Sequence, residues 1–338
     1  MMAAVPRITT AVIGAGAWGT ALAALLAANG HSVRLWGRDA EQMALLATTA
    51  SSPRYLPGVV LPRSLVISSD LAAVLDDARD VLLVVPSHAF RQTLELIAPY
   101  MQPNMRLLWA SKGFEPETGR LLHQVVENYF GDRFPMAVIS GPTFALEVAR
   151  GMPTALTVAS CDHSLAAAVA ERLHNDRFRA YTSADMAGVE VGGAVKNILA
   201  IAAGIADGLG FGANARAALI TRGLSEVMRL GEALGGQRET LMGLAGLGDL
   251  VLTCTDDQSR NRRFGLALGR GSDMTAARAS INQVVEGIEA AKEARRLAHS
   301  LNIEMPITEQ VYQVLYHGIS PRAAVTHLLT REQKSENV

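Results

Sequence analysis

Residues 8–30 read ITTAVIGAGAWGTALAALLAANG, and this stretch decides the fold. Ile8 to Ile13 is a short, β-rich apolar run. Gly14, Gly16 and Gly19 follow at G-x-G-x-x-G spacing, and Trp18 to Ala28 is an Ala/Leu helix that Asn29 and Gly30 stop. Strand, glycine turn and helix in that order are what dinucleotide binding requires. Gly14 permits the tight turn, Gly16 lets backbone approach a pyrophosphate, and Gly19 lets the helix pack closely on the strand, so that helix amides face the phosphates. The same stretch forms 23 consecutive uncharged residues after Arg7, long enough for a membrane span or signal segment. The glycine spacing, the switch from strand to helix and the strand pattern that follows argue against both, so no stable membrane insertion is expected.

Working outward, His31 to Trp36 alternates as a second strand and Ala40 to Ala47 as a helix, followed by an irregular stretch, Ser51 to Pro62, with Pro53, Pro57, Gly58 and Pro62 as breakers. Further strands are expected near Leu65 to Ile67 and at Val81 to Val85, Leu107 to Ala110, Met136 to Ser140 and Ala155 to Ala159. Helices open at Asp70 and Pro86-Ser87 and run from about Gly119 to Tyr129. Such alternation implies βαβ units and a mostly parallel sheet: an α/β, Rossmann-like domain over residues 1–186. After Asp185 the β-branched runs vanish. Val189–Ala206, Ala215–Leu234, Arg260–Leu268, Val284–Leu301 and Thr308–Tyr316 predict an all-helical second domain over residues 187–338, with a solvated tail from Thr330.

The composition of the 338 residues agrees. With 31 basic and 32 acidic side chains there is no general attraction to nucleic acid or an anionic membrane surface, and two cysteines form no disulfide framework or metal-ligand set, as suits a reducing cytoplasm. There is no HExxH, CxxC, GxSxG or P-loop, so no metal is expected. Of the 31 basic residues only four are lysines: Lys112, Lys196, Lys292 and Lys334.

Lys196 lies in VGGAVKNILAIAAGIA (residues 191–206) as its one ionisable group before Asp207. Burial there disfavours the ammonium and moves the group toward titration near neutrality, which suits a proton donor and acceptor in carbonyl reduction. Arginine could not do this. A lysine snorkelling from a helix flank is the alternative. Asn197 beside it could hold a substrate hydroxyl. Asp249, in GLAGLGDLVLTCT (residues 243–255), either orients Lys196 or caps the helix that follows. Ser259-Arg260-Asn261-Arg262-Arg263 reads as a site for an anionic group such as phosphate, or as a solvated helix face. Lys112 and Gly141-Pro142-Thr143-Phe144-Ala145 end predicted strands, where open α/β sheets bind ligands. At the end of the second strand Arg38 could pair with a 2'-phosphate, giving a lean to NADP over NAD, while Asp39 could cap a helix or touch ribose. Trp18 could pack on the cofactor or on the core, and His88 is read as a loop histidine.

Together GAGAWGTALA, SKGFEPETG, ISGPTFALEVARGMPTA, VGGAVKNILAIAAGIADGLGFGANARAALITRGLSE, LAGLGDLVLTCTDDQSRNRRFGLALGRG, QVVEGIEA and EMPITEQVYQVLY make the chain resemble bacterial-type NAD(P)-dependent glycerol-3-phosphate dehydrogenases over nearly its whole length. The resemblance implies interconversion of dihydroxyacetone phosphate and sn-glycerol 3-phosphate for phospholipid synthesis, with a small phosphorylated three-carbon substrate and a homodimer. It would put Ala17, Trp18, Arg38, Lys112, Ala145, Arg260, Val284 and Glu286 at the cofactor. It would put Lys112, Gly141, Thr143, Lys196, Asp249, Ser259, Arg260 and Asn261 at the substrate, with Lys196 taking the proton. A related reductase acting on a hydroxy acid or ketopantoate, and a non-catalytic dinucleotide sensor, share the glycine loop.

Overall fold

The computed structural model describes residues 8–281 and 283–332; the expected tail beyond residue 332 lies outside the described residues. The chain divides into two compact units. The first takes the described residues up to Glu115 and Arg120–Glu190; the second takes Pro116–Gly119 and the described residues from Val191 onward.

The first unit is built on an eight-stranded sheet. Its strands are β1 (Thr9–Ile13), β2 (Ser32–Trp36), β5 (Val66–Ser68), β6 (Asp80–Leu83), β7 (Arg106–Trp109), β8 (Met136–Ser140), β9 (Thr154–Ala159) and β10 (Phe178–Ser183); β3 (Ser51–Ser52) and β4 (Leu56–Val60) form a separate pair. The order is β10-β9-β8-β7-β6-β1-β2-β5, with every neighbouring pair parallel except β8 and β9. The segment β5-β2-β1-β6-β7-β8 is the doubly wound order, and its direction of winding reverses between β1 and β6, where such sheets bind ligands. β1 has Thr9–Ile13 buried throughout, as a central parallel strand covered on both faces must be. Helices α1 (Ala17–Ala28), α2 (Ala40–Thr49), α3 (Leu71–Leu75), α4 (Phe90–Ile97), α5 (Leu122–Phe130), α6 (Ala145–Ala149) and α7 (His163–Leu173) complete the unit.

Among the local features that differ from the sequence reading are three in the first unit, beside the helices α6 and α7, which it did not give. Ser51 to Pro62 is not wholly irregular: Ser51 pairs with Val60 and Ser52 with Leu56, and Leu56 and Val59 are buried. The prolines hid a short hairpin that needs only a few ladder bonds. The helix expected from Gly119 starts at Leu122, since Gly119 has φ +68°. β10 was not anticipated, because FRAYTS is polar and only partly buried, as an edge strand can be. At the strands' amino ends, buried Asp80 pairs with Arg106 at 2.5 Å and with Arg172, whose guanidinium burial pulls down to about 10.

Helix α8 (Met186–Gly208) begins in the first unit, where Asp185 accepts from the Gly188 N–H at 2.8 Å. There Glu190 accepts from Trp109 Nε1 at 2.9 Å and from the His123 N–H at 3.1 Å. Among the described residues α8 is the one helix long and apolar enough to cross a membrane, and its apolar window is wholly buried within the protein.

In the second unit α8 continues among α9 (Ala213–Ala233), α10 (Arg238–Leu241), α11 (Asp249–Thr255), α12 (Arg260–Gly269), α13 (Met274–Ile281), α14 (Glu286–Ser300), α15 (Pro306–His317) and α16 (Pro321–Leu329). Glycines bring α8 against its neighbours backbone to backbone. A Cβ on Gly192 would lie 2.6 Å from Ala245 O; one on Gly204, 2.0 Å from Arg262 O; one on Gly265, 2.1 Å from Ile201 O; and one on Gly269, 2.4 Å from Ile205 O. The pairs Ile201/Gly265 and Ile205/Gly269 advance together, so α8 and α12 run parallel in close contact. Gly265→Val is therefore expected to destabilise the protein by roughly 1–3 kcal/mol or more, because neither backbone can yield. Urea unfolding that showed no loss would contradict this packing.

Candidate active site

In the first unit the glycine loop sits at the switch point. Gly14 N–H donates to Trp36 O at 2.9 Å, and Gly16 is the N-cap of α1. Gly14 has φ +121°, and a Cβ there would lie 2.4 Å from Val84 O; one on Gly19 would lie 1.9 Å from Gly14 O. The fold itself demands those two glycines. A Cβ on Gly16 meets nothing within 4 Å, so this glycine keeps space open at the start of α1, whose first turn carries no carboxylate. Unpaired helix amides, a positive dipole end and free space suit a pyrophosphate. Ala17 and Trp18 open α1. Trp18 packs on the core cluster while its buried indole N–H has no partner among the described residues. Arg38 is exposed just past β2, and Asp39 caps α2, its Oδ1 accepting from Gln42 N–H at 3.0 Å. His88 is exposed in a short 3-10 turn, Ser87–Ala89.

Past the carboxyl ends of β7 and β8, Lys112 Nζ donates to Gly141 O at 3.1 Å, and Thr143 Oγ1 donates to the same carbonyl at 3.2 Å. Gly141 has φ +155°, and a Cβ would lie 2.8 Å from Leu156 Cα. Ala145 opens α6 two residues after Thr143. The structure thus gathers Lys112, Gly141 and Thr143, and leaves an ammonium and a hydroxyl where open sheets hold ligands.

In the second unit Lys196 Nζ donates to Asp249 Oδ1 at 2.6 Å and to Thr253 Oγ1 at 3.0 Å, all three being buried. Gly192 lets the π-turn Leu244–Gly248 close on α8, and that contact carries Asp249 to the lysine. Asp249 is the first residue of α11, capped by Gly248, so the capping role is not its own. Burial alone disfavours a charge at Lys196, and the carboxylate at 2.6 Å offsets that cost. Thr253 was missed, although it stands one helical turn after Asp249 and so shares its face. Cys254 beside them is inert, burial pushing its thiol up to about 12.

Asn197 does not stand free for a ligand in the way the sequence suggested. Its Oδ1 accepts from Asn261 Nδ2 at 2.9 Å and its Nδ2 donates to Glu286 Oε2 at 3.4 Å, while Asn261 Oδ1 accepts from Gly287 N–H at 2.9 Å. Lys196, Asn261 and Glu286 are thereby gathered around α8. Ser259 caps α12, its Oγ accepting from Arg262 N–H at 3.2 Å, and Arg260 Nη1 donates to Gln283 Oε1 at 3.2 Å. Val284 is exposed. The basic run is not one surface, however. Arg260 is half-buried and Arg263 exposed, but Arg262 turns inward, because two residues along a helix is a rotation of about 200°.

A glycine loop at a Rossmann switch point in one unit, and a buried lysine–carboxylate pair in an all-helical other, define a two-unit dinucleotide-dependent oxidoreductase. Residues 9–166 match the family described as NAD-dependent glycerol-3-phosphate dehydrogenase N-terminus, and residues 185–326 that described as its C-terminus. The chain belongs to the NAD(P)-dependent glycerol-3-phosphate dehydrogenase family. It is 60% identical over 326 residues, 96% of this chain and 98% of the relative, to glycerol-3-phosphate dehydrogenase [NAD(P)+] of Thioalkalivibrio sulfidiphilus. It is 56% identical, over 96% of each chain, to that of Shewanella halifaxensis. The crystal structure of glycerol-3-phosphate dehydrogenase from Coxiella burnetii superposes with a TM-score of 0.93 at 49% identity, covering 96% of this chain and 99% of that one.

The thiols test the burial of this site. Alkylation of the native protein at pH 8 is expected to modify exposed Cys161 and spare Cys254 until urea is added, as mass spectrometry would read. Native labelling of Cys254 would mean that the packing around Lys196 is open.

Proposed function

We propose that this chain interconverts dihydroxyacetone phosphate and sn-glycerol 3-phosphate with Lys196 as the proton donor and acceptor. The observation that carries the reading is the Lys196 ammonium, the one ionisable group of residues 191–206, held 2.6 Å from Asp249 and 3.0 Å from Thr253. Bound NAD(P)H supplies a hydride to the substrate carbonyl. Lys196 gives a proton to the oxygen on which charge develops, and in the reverse direction accepts it from the hydroxyl. Asp249 would fix the direction of the amine through its 2.6 Å bond. Arg260 and Asn261, with Ser259 at the α12 N-terminus, would anchor the phosphate; this spends remote binding energy on orienting the carbonyl. Lys112, Gly141 and Thr143, by likeness to the family, are proposed as substrate contacts as well.

For the cofactor, Gly14, Gly16, Ala17, Trp18 and Gly19 would hold the pyrophosphate and its surroundings, with Lys112, Ala145, Arg260, Val284 and Glu286 as further contacts. Arg38 would pair with a 2'-phosphate, favouring NADP. The family likeness also supports a homodimer, a cytoplasmic location and supply of the glycerol backbone for phospholipids.

Addition of dihydroxyacetone phosphate to protein and NADPH should cause loss of absorbance at 340 nm, and Lys196→Ala should lower turnover by about 10²–10⁴-fold while cofactor binding is kept. Full turnover in that variant would end the assignment of Lys196. Arg38→Ala is expected to raise KM for NADPH about tenfold and leave KM for NADH unchanged, as loss of a charged contact to one phosphate requires. Equal changes for both cofactors would overturn the role of Arg38.

A further inference from the structure

We propose that Arg262 is a positioning residue for recognition of the substrate phosphate: its guanidinium sets where Arg260 and Asn261 stand relative to Lys196. The inference rests on the reading of Ser259, Arg260 and Asn261 as the phosphate anchor. Arg262 is buried, and its fork spans three segments. Nη2 pairs with Asp207 Oδ2 at 2.6 Å in the last turn of α8, Nη1 pairs with Asp257, and Nε donates to Cys254 O at 3.1 Å at the end of α11. Asp207 is itself held by Arg216 Nη1 at 2.9 Å from α9. The Arg262 backbone N–H meanwhile binds the Ser259 hydroxyl at 3.2 Å. One side chain thus fixes both ends of the turn that leads into Ser259, Arg260 and Asn261.

The need for such a pin follows from the way α8 and α12 meet. Gly204 against Arg262 O, and Gly265 against Ile201 O, give smooth backbone surfaces with no side chain interlocking at those points. Close contact supplies attraction but little resistance to sliding along the axis, so register must come from directional bonds. Two are present. Asn197 to Asn261 lies next to the proposed chemistry, and Asp207 to Arg262 lies 11 residues after Lys196, about 16 Å along the helix at 1.5 Å per residue. A planar five-donor group is needed to reach two carboxylates and a carbonyl at once; a lysine in its place would keep the charge and lose the fork. The bonds of the Arg262 side chain run to Asp207, Asp257 and Cys254 O, so its action passes through the turn it holds.

The experiment compares Arg262→Lys and Asp207→Asn with the parent enzyme on dihydroxyacetone phosphate and on unphosphorylated dihydroxyacetone, at saturating NADPH. The expected result is a fall in kcat/KM of about tenfold or more with the phosphorylated substrate. The fall should be expressed mainly in KM, with kcat/KM for dihydroxyacetone unchanged. Activity on dihydroxyacetone serves as the measure that each variant is folded, and Asp207→Asn carries the test if Arg262→Lys fails to fold. Arg260→Ala is measured alongside. If it loses the preference for phosphate while the Arg262 and Asp207 variants keep theirs, the positioning role is overturned and the phosphate site stands. If none of the three loses it, both are overturned. Equal losses on the two substrates in the Arg262 and Asp207 variants would show general support of the fold and overturn the proposal.

Discussion

The second unit depends on how closely other backbone can approach α8. At Gly192, Gly204 and Gly208 on α8, and at Gly265 and Gly269 on α12, a Cβ would fall inside the contact distance of a main-chain atom. Because nothing projects from these positions, the π-turn before Asp249 and the whole of α12 lie directly on α8. The polar groups then follow from that proximity. Asp249 reaches Lys196, Asn261 reaches Asn197, and Arg262 reaches Asp207, each within ordinary hydrogen-bond distance. A bulkier helix surface would hold these pairs apart and leave buried charges without compensation, at a cost of several kcal/mol each.

Burying charge in such a helix is tolerable only because it is paired. Lys196 and Asp249 neutralise each other, and Thr253 accepts a further bond from the ammonium. Under the proposed function the same arrangement would serve chemistry, because the apolar surroundings strengthen every local charge interaction. The first unit solves a different problem. There a fold-imposed left-handed turn at Gly14 and the open side of Gly16 present helix amides where a carboxylate-free helix start welcomes anionic phosphate.

Much of this was legible in the sequence. The nine elements from β1 to β6 follow their patterns apart from the β3–β4 hairpin, because apolar runs and 3.6-residue periodicity report burial directly. β10 escaped notice because an edge strand needs few apolar residues. The lysine announced itself as a single charge among Val, Ile, Leu and Ala. Thr253, by contrast, carries no signal until Asp249 is known to begin a helix. Arg262 could not be distinguished from Arg260 and Arg263 in a run of like residues.

What the sequence by itself determined is local: strand, glycine loop and helix at residues 8–30, an apolar helix around Lys196, and membership of a family whose motifs extend over the chain. Only the tertiary structure decided that Asp249 serves the lysine rather than a helix cap, that Asn197 is committed to Asn261 and Glu286, and that one arginine of the basic run points inward. The physical reason is range. Periodicity and turn chemistry act over a few residues, whereas Lys196 and Asp249 are 53 positions apart and Asp207 and Arg262 are 55. Their meeting is set by where glycines let helices touch, which no short window of sequence encodes.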